Sequence, residues 1–155
     1  MTYLRIFGAV FALFAAFLFG LSLTWRDFPG NPTGFPLNRT FVAVAFNGVR
    51  FDYTRMPQLP VFEVRRTPMM RYRAAGSGGC NAWNSDVALQ PDHMVVWKDI
   101  SVTARACRAR DIEEPFLKTL IQTTRWRTEG GTLILENDSD TLSFQLAPGR
   151  RFFGW

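Results

Sequence analysis

An α+β domain, mostly antiparallel β-sheet with one main helix, is predicted by three features of the chain: many short β-prone runs, turn dipeptides between them, and a single amphipathic stretch. Thr40–Phe46 and Val49–Tyr53 flank Asn47-Gly48, whose residues tolerate positive φ and so mark a hairpin. Val61–Val64, Met69–Ala74, Val87–Leu89, Met94–Trp97 and Ile100–Val102 follow, each bounded by Pro, Gly, Asp or Asn, a spacing that suits antiparallel pairing. The helix is expected after Asp111, with Asp111 as cap, Glu114 three residues on, Pro115 in the first turn, and Phe116, Leu117, Leu120 and Ile121 as one apolar face. Thr124–Thr128, Thr132–Glu136 and Thr141–Leu146 then form a meander, turned by Gly130-Gly131 and by residues 137–140. Alternation puts Leu133 with Leu135, and Leu142 with Phe144 and Leu146, on core-facing sides.

The composition fits a folded domain. Of 155 residues, 47% are hydrophobic and 15% aromatic, too apolar for a disordered chain. Once the apolar N-terminal stretch is set aside, roughly 115–130 residues remain, the size of one domain. The net charge of +5 is carried almost wholly by arginine, with Lys98 and Lys118 the only lysines. These cations are scattered among Asp and Glu, whereas a nucleic-acid binder concentrates them on one face, so no nucleic-acid partner is expected.

The N-terminus sets the expected compartment. Ile6 to Trp25 is uncharged, lies between Arg5 and Arg26, and would span about 30 Å as a helix, the thickness of a bilayer's hydrocarbon core. Residues 1–26 therefore read as a transmembrane anchor; a cleaved signal sequence ending near Gly20 and Ser22 is the alternative. No cysteine directly follows the apolar run, which excludes a lipoprotein anchor. The α-amino group and Arg5 favour a cytoplasmic N-terminus and place the rest in the periplasm or extracellular space, or secreted if cleaved. Residues 27–38, with three prolines and two glycines, read as a linker, and residues 39–155 as the domain. An even cysteine count in an exported domain reads as one disulfide, Cys80 with Cys107; two buried thiols are the alternative.

No catalytic machinery stands out. His93 is the single histidine and lies in a turn-like Gln90–His93 segment with no motif that supplies a partner. Neither CxxC nor HExxH occurs, so no metal site or cofactor is expected. Gly76–Gly79 lacks the Lys and Ser or Thr of a phosphate loop and reads instead as close backbone packing. Asp111, Glu113 and Glu114 read as helix-start acids, favoured there by the helix dipole. Phe62, Arg65, Arg66, Arg71, Tyr72 and Arg73 could stack and pair with a single strand of nucleic acid, but a solvated strand face fits an exported domain better. Arg26, Arg39, Arg150 and Arg151 could meet acidic lipid headgroups, and the tail Arg151–Trp155 could touch the bilayer or fold back on the domain, the second being favoured.

The stretch Gly76-Ser77-Gly78-Gly79-Cys80-Asn81-Ala82-Trp83, then Thr103-Ala104-Arg105-Ala106-Cys107, then Glu114-Pro115-Phe116 with Leu120, resembles the META/HslJ family over about residues 40–147. The resemblance identifies Gly79, Cys80, Asn81, Trp83, Thr103, Cys107, Phe116 and Leu120 as motif positions and implies a sheet that is partly closed and barrel-like. Two positions depart from the pattern: Ser85 stands where a glycine is common and Ala106 where a methionine is, which bears on local turn geometry. Relatives are mostly exported or envelope-associated, have no established reaction, and are linked to stress and drug tolerance and, in trypanosomatids, to secretion or motility. The resemblance thus implies a membrane-tethered, non-catalytic envelope-stress or assembly accessory with a protein or lipid partner. A purely structural membrane-attached module and a hydrolase or redox enzyme are the alternatives.

Overall fold

The computed structural model describes residues 33–148; the apolar Ile6–Trp25 run, the first half of the proline-rich stretch and the aromatic tail lie outside the described residues. Among those described, no helix is long and apolar enough to cross a membrane. The described residues form nine strands: β1 Thr40–Phe46, β2 Val49–Arg50, β3 Val61–Arg66, β4 Tyr72–Ser77, β5 Ala82–Gln90, β6 Met94–Val102, β7 Arg125–Glu129, β8 Thr132–Glu136 and β9 Thr141–Leu146. Among the described residues one α-helix, α1 Arg110–Gln122, lies between β6 and β7, and a short 3-10 turn, Tyr53–Arg55, follows β2.

All pairings are antiparallel, in the order β2-β1-β3-β4-β5-β6-β7-β8-β9. Strand β1 also pairs with β9, from Phe41↔Leu146 to Phe46↔Leu142, so the sheet returns on itself as a ring. The seam between β6 and β7 is thin. It is one residue pair, Met94↔Arg125, flanked by backbone bonds from Val95 to Thr124 and from Trp126 to His93, each 2.9 Å.

Local chemistry explains where strands stop. Asn47 and Gly48 take φ of 47° and 79°, as the hairpin requires, and Asn47 is fixed by bonds to Asp140 Oδ1 (2.8 Å) and from the Thr141 N–H (2.7 Å). The run expected at Val49–Tyr53 keeps only two strand residues. The chain then coils at Asp52, whose side chain accepts from the Thr54 N–H and hydroxyl, bonds that hold its carboxyl below the usual range. The run expected at Met69–Ala74 shifts C-terminally: Met70, at φ 62°, turns the chain, and the strand takes in Gly76 and Ser77. The runs at Met94–Trp97 and Ile100–Val102 merge into β6, because a bulge absorbs Asp99 at φ 49°. Ser85 sits opposite that bulge, fully buried in mid-strand rather than in a turn, with its Oγ 2.7 Å from the Lys98 carbonyl oxygen and 3.2 Å from the Lys98 N.

The helix starts differently from the expectation. Ala109 is the N-cap and makes no side-chain cap bond. Asp111 pairs instead with Arg55 at 2.8 Å, Glu114 with Arg110 at 3.3 Å, and Pro115 lies inside the helix. Of the expected apolar face, Phe116 and Leu120 are buried, whereas Ile121 is 43% exposed. Leu146 likewise leaves the core.

Inside the ring the core is aromatic. Phe62 packs on Phe144 (centroids 4.8 Å), Phe41 (5.8 Å) and both Trp83 and Trp97 (6.4 Å each), and Phe116 reaches Phe144 at 6.3 Å. Phe35, within the proline-rich stretch, is buried edge-on against Trp126 at 5.0 Å. Leu120 is fully buried but also lies beside an open cleft, so its neighbours can relax into the space it leaves. Leu120→Ala is expected to cost about 2–3 kcal/mol, the lower part of the range for such truncations, measured by urea unfolding. A loss below about 0.5 kcal/mol would contradict its core position.

Candidate functional site

Three segments distant in sequence meet at one corner: the turn after β4, the irregular segment after β6, and the first two turns of α1. Cys80 and Cys107 form a disulfide there, with Cα atoms 6.2 Å apart. Gly79 turns the chain at φ 112°, a conformation that L side chains rarely adopt. At Gly78 the need is space, because a Cβ would lie 2.8 Å from Glu113 Oε1 and 3.1 Å from Leu117.

Glu113 organises the corner. Its carboxylate is buried, and Oε1 accepts the N–H groups of Cys80 (3.0 Å) and Asn81 (2.5 Å). Oε2 accepts from Asn81 Nδ2 at 2.6 Å. Asn81 Oδ1 in turn accepts the Arg105 N–H (2.7 Å) and the Thr103 hydroxyl (3.1 Å), and Thr103 Oγ1 accepts the Ala82 N–H (3.1 Å). These partners settle the amide orientation of Asn81, since only its oxygen can accept from a backbone N–H. Each side chain ties two segments together, and the disulfide closes the same circuit covalently.

Beside this corner a cleft of about 830 Å³ opens between the C-terminal half of β6 and the helix. It is lined by Ile100 and Val102 of β6, Leu117 and Ile121 of the helix and Trp83, together with the charged Arg105, Arg110, Glu114 and Lys118. Val102 faces the ring interior, opposite Trp83 in register, yet is 46% exposed, because among the described residues no strand closes the ring on that side.

The motif positions Gly79, Cys80, Asn81, Thr103 and Cys107 therefore converge. Trp83 connects them to the core, while Phe116 and Leu120 anchor the helix. Glu113 is the helix-start acid expected from the sequence, in the first turn of α1, and is also the hub of the corner, a role that expectation did not include. Its signal is spacing: Glu113, Phe116 and Leu120 fall at i, i+3 and i+7, one helix face.

Of the remaining candidates, Arg65, Arg66 and Arg73 line a second pocket of about 630 Å³ together with Glu63 and Trp83, Arg71 and Tyr72 line a third, and the others lie apart. His93 sits in a turn at φ 60° with its ring against Trp126 at 4.6 Å. Phe62 points into the core, away from its arginine neighbours. Arg65 makes a two-pronged contact with Glu63 (2.6 and 3.1 Å) that holds its guanidinium above the ordinary value, and Arg73 donates to Asn84 at 3.0 Å. Among the described residues no group of three His, Cys, Asp or Glu side chains gathers around a common point.

The family model for the META domain matches residues 36–149. An NMR structure of a protein from Burkholderia xenovorans is similar in fold, with TM-score 0.57 and 24% identity, over 77% of this chain and 90% of that one. A second NMR structure has TM-score 0.53 and 18% identity, over 70% and 88%. No curated protein matches the chain.

Proposed function

The chain belongs to the META domain family, and from that premise we propose that it serves as a membrane-tethered, extracytoplasmic and non-catalytic accessory of envelope stress or assembly, binding a protein or lipid partner in the cleft beside the disulfide corner. The observation that carries this reading is the cleft itself: an apolar-walled opening with exposed Val102 and Ile121, bordered by a cross-linked, hydrogen-bonded corner that presets its shape. Preformed concave apolar surfaces are where partners bind, and a rigid frame lowers the ordering cost of association. A purely structural module has no use for such an opening. An enzymatic role is disfavoured because the buried Glu113 carboxylate is committed to the hydrogen-bond circuit of the corner, accepting from the Cys80 and Asn81 N–H groups and the Asn81 side-chain amide. Tethering rests on the uncharged Ile6–Trp25 run.

Two measurements test the proposal. Alkaline phosphatase fused after Trp155 is expected to be active and to sediment with membranes; an inactive fusion overturns export, and soluble activity overturns tethering. A photo-crosslinking residue at Val102 is expected to trap adducts in living cells, whereas one at Val49, exposed on the far edge strand, should not. Equal trapping at both positions, or none at Val102, removes the cleft as the binding surface.

A further inference from the structure

We propose that the cleft receives an extended acidic peptide of a partner protein as an added strand on β6, an inference that rests on the binding role just given and names the partner's chemistry. The C-terminal half of β6 has one strand neighbour only. Residues Lys98, Ser101 and Val102 pair with β5, while β7 meets β6 at Met94 alone. Among the described residues no strand lies along the other edge of Ile100–Val102.

The backbone there is oriented for pairing. The Thr103 N–H donates to the Ala82 carbonyl at 2.9 Å, and the next hydrogen-bonded pair, two residues back, is Asn84↔Ser101. Val102, opposite Trp83, therefore holds the alternate position, whose N–H and C=O turn away from β5 toward the cleft. Helix α1 forms the opposite wall. An edge strand facing a helix across an apolar groove is the arrangement in which an extended peptide adds by main-chain hydrogen bonds, with alternate side chains entering the groove. Ile100, Val102 and Ile121 offer apolar contact to those side chains, and a lipid chain would use none of the edge's polar groups.

Charge selects the partner. Glu114 also lies on the cleft but is paired with Arg110, which leaves Arg105 and Lys118 with no carboxylate paired to either among the described residues, so the outward side chains of an added strand meet cations and are best acidic. The bulge at Asp99 interrupts the edge just before Ile100, which limits the open edge to a short segment and discourages indiscriminate sheet growth.

The test uses the full-length chain in mild detergent with fluorescein-labelled eight-residue peptides of alternating Val and Glu. Binding by anisotropy is expected, about tenfold or more tighter than for alternating Val and Lys, with an NMR amide shift at Val102. Methylating the peptide's edge-facing amides should abolish it, and Lys118→Glu or Arg105→Glu should each weaken it about three- to tenfold while leaving the melting temperature unchanged. Equal binding of the two peptides, binding that survives amide methylation, or no binding of the acidic peptide overturns the inference. Saturable binding of phosphatidylglycerol vesicles at Val102 without peptide binding assigns the cleft to lipid and overturns it too. If adducts at Val102 still form in cells while the acidic peptide fails, the binding role stands and the added-strand inference falls; if both fail, the binding role falls with it.

Discussion

Replacing Glu113 with alanine is expected to destabilise the domain by about 4–5 kcal/mol, more than any other single change at the disulfide corner. The carboxylate accepts from two backbone N–H groups and one side-chain amide, and its removal leaves three donors without an acceptor. Each buried unsatisfied donor costs about 1–3 kcal/mol, and water entering from the adjacent cleft recovers part of the sum. Glu113→Gln keeps one accepting oxygen but turns an NH₂ against Asn81 Nδ2, so it should fall between alanine and wild type. Equilibrium urea unfolding of the three proteins checks the order, and a loss below about 1 kcal/mol for the alanine variant would show that the corner is held by other means.

The Cys80→Ser/Cys107→Ser variant should lose about 3–4 kcal/mol and melt roughly 10–20 °C lower with the same fold. The bridge joins residues 27 positions apart, and opening a loop of this size returns about that much conformational freedom to the unfolded chain. The loop contains the whole β5–β6 hairpin, so the unfolded oxidised chain keeps both ends of that hairpin close. Thiol labelling of the denatured, unreduced protein should find no reactive cysteine. An unchanged melting temperature would mean that the native corner alone fixes the hairpin. Because Cys80 also donates its N–H to Glu113, combining the cysteine and Glu113 changes should cost less than the two effects added.

How much was legible in the sequence follows from where each signal is stored. Strands β1, β8 and β9 have the bounds read from the chain, because alternation and Asn-Gly, Gly-Gly or Asn-Asp turns encode them locally. In sequence, strands β5 and β6 read as fragments, because Asn84, Ser85 and Asp86, and then Lys98 and Asp99, look like breakers. They are accommodated only because a buried serine hydroxyl and a bulge reconcile them across the pair, a solution that exists in three dimensions alone. The cysteines and Asn81 announced the corner through the family pattern, but Glu113 was masked by the expectation that acids gather at a helix start. Counting by helical spacing instead of distance from the cap places it beside Phe116 and Leu120. The cleft had no sequence signature, since it arises from what β7 fails to cover along β6.

The pairing of β1 with β9 sets the first and last strands side by side, with the Ala147 N–H donating to the Thr40 carbonyl at 2.9 Å. The chain therefore leaves the ring next to the point where it enters. Neighbouring entry and exit points make a domain a cassette: the ring can be spliced into a loop of another protein, or have its ends joined and be reopened at Gly130-Gly131, without stretching any strand.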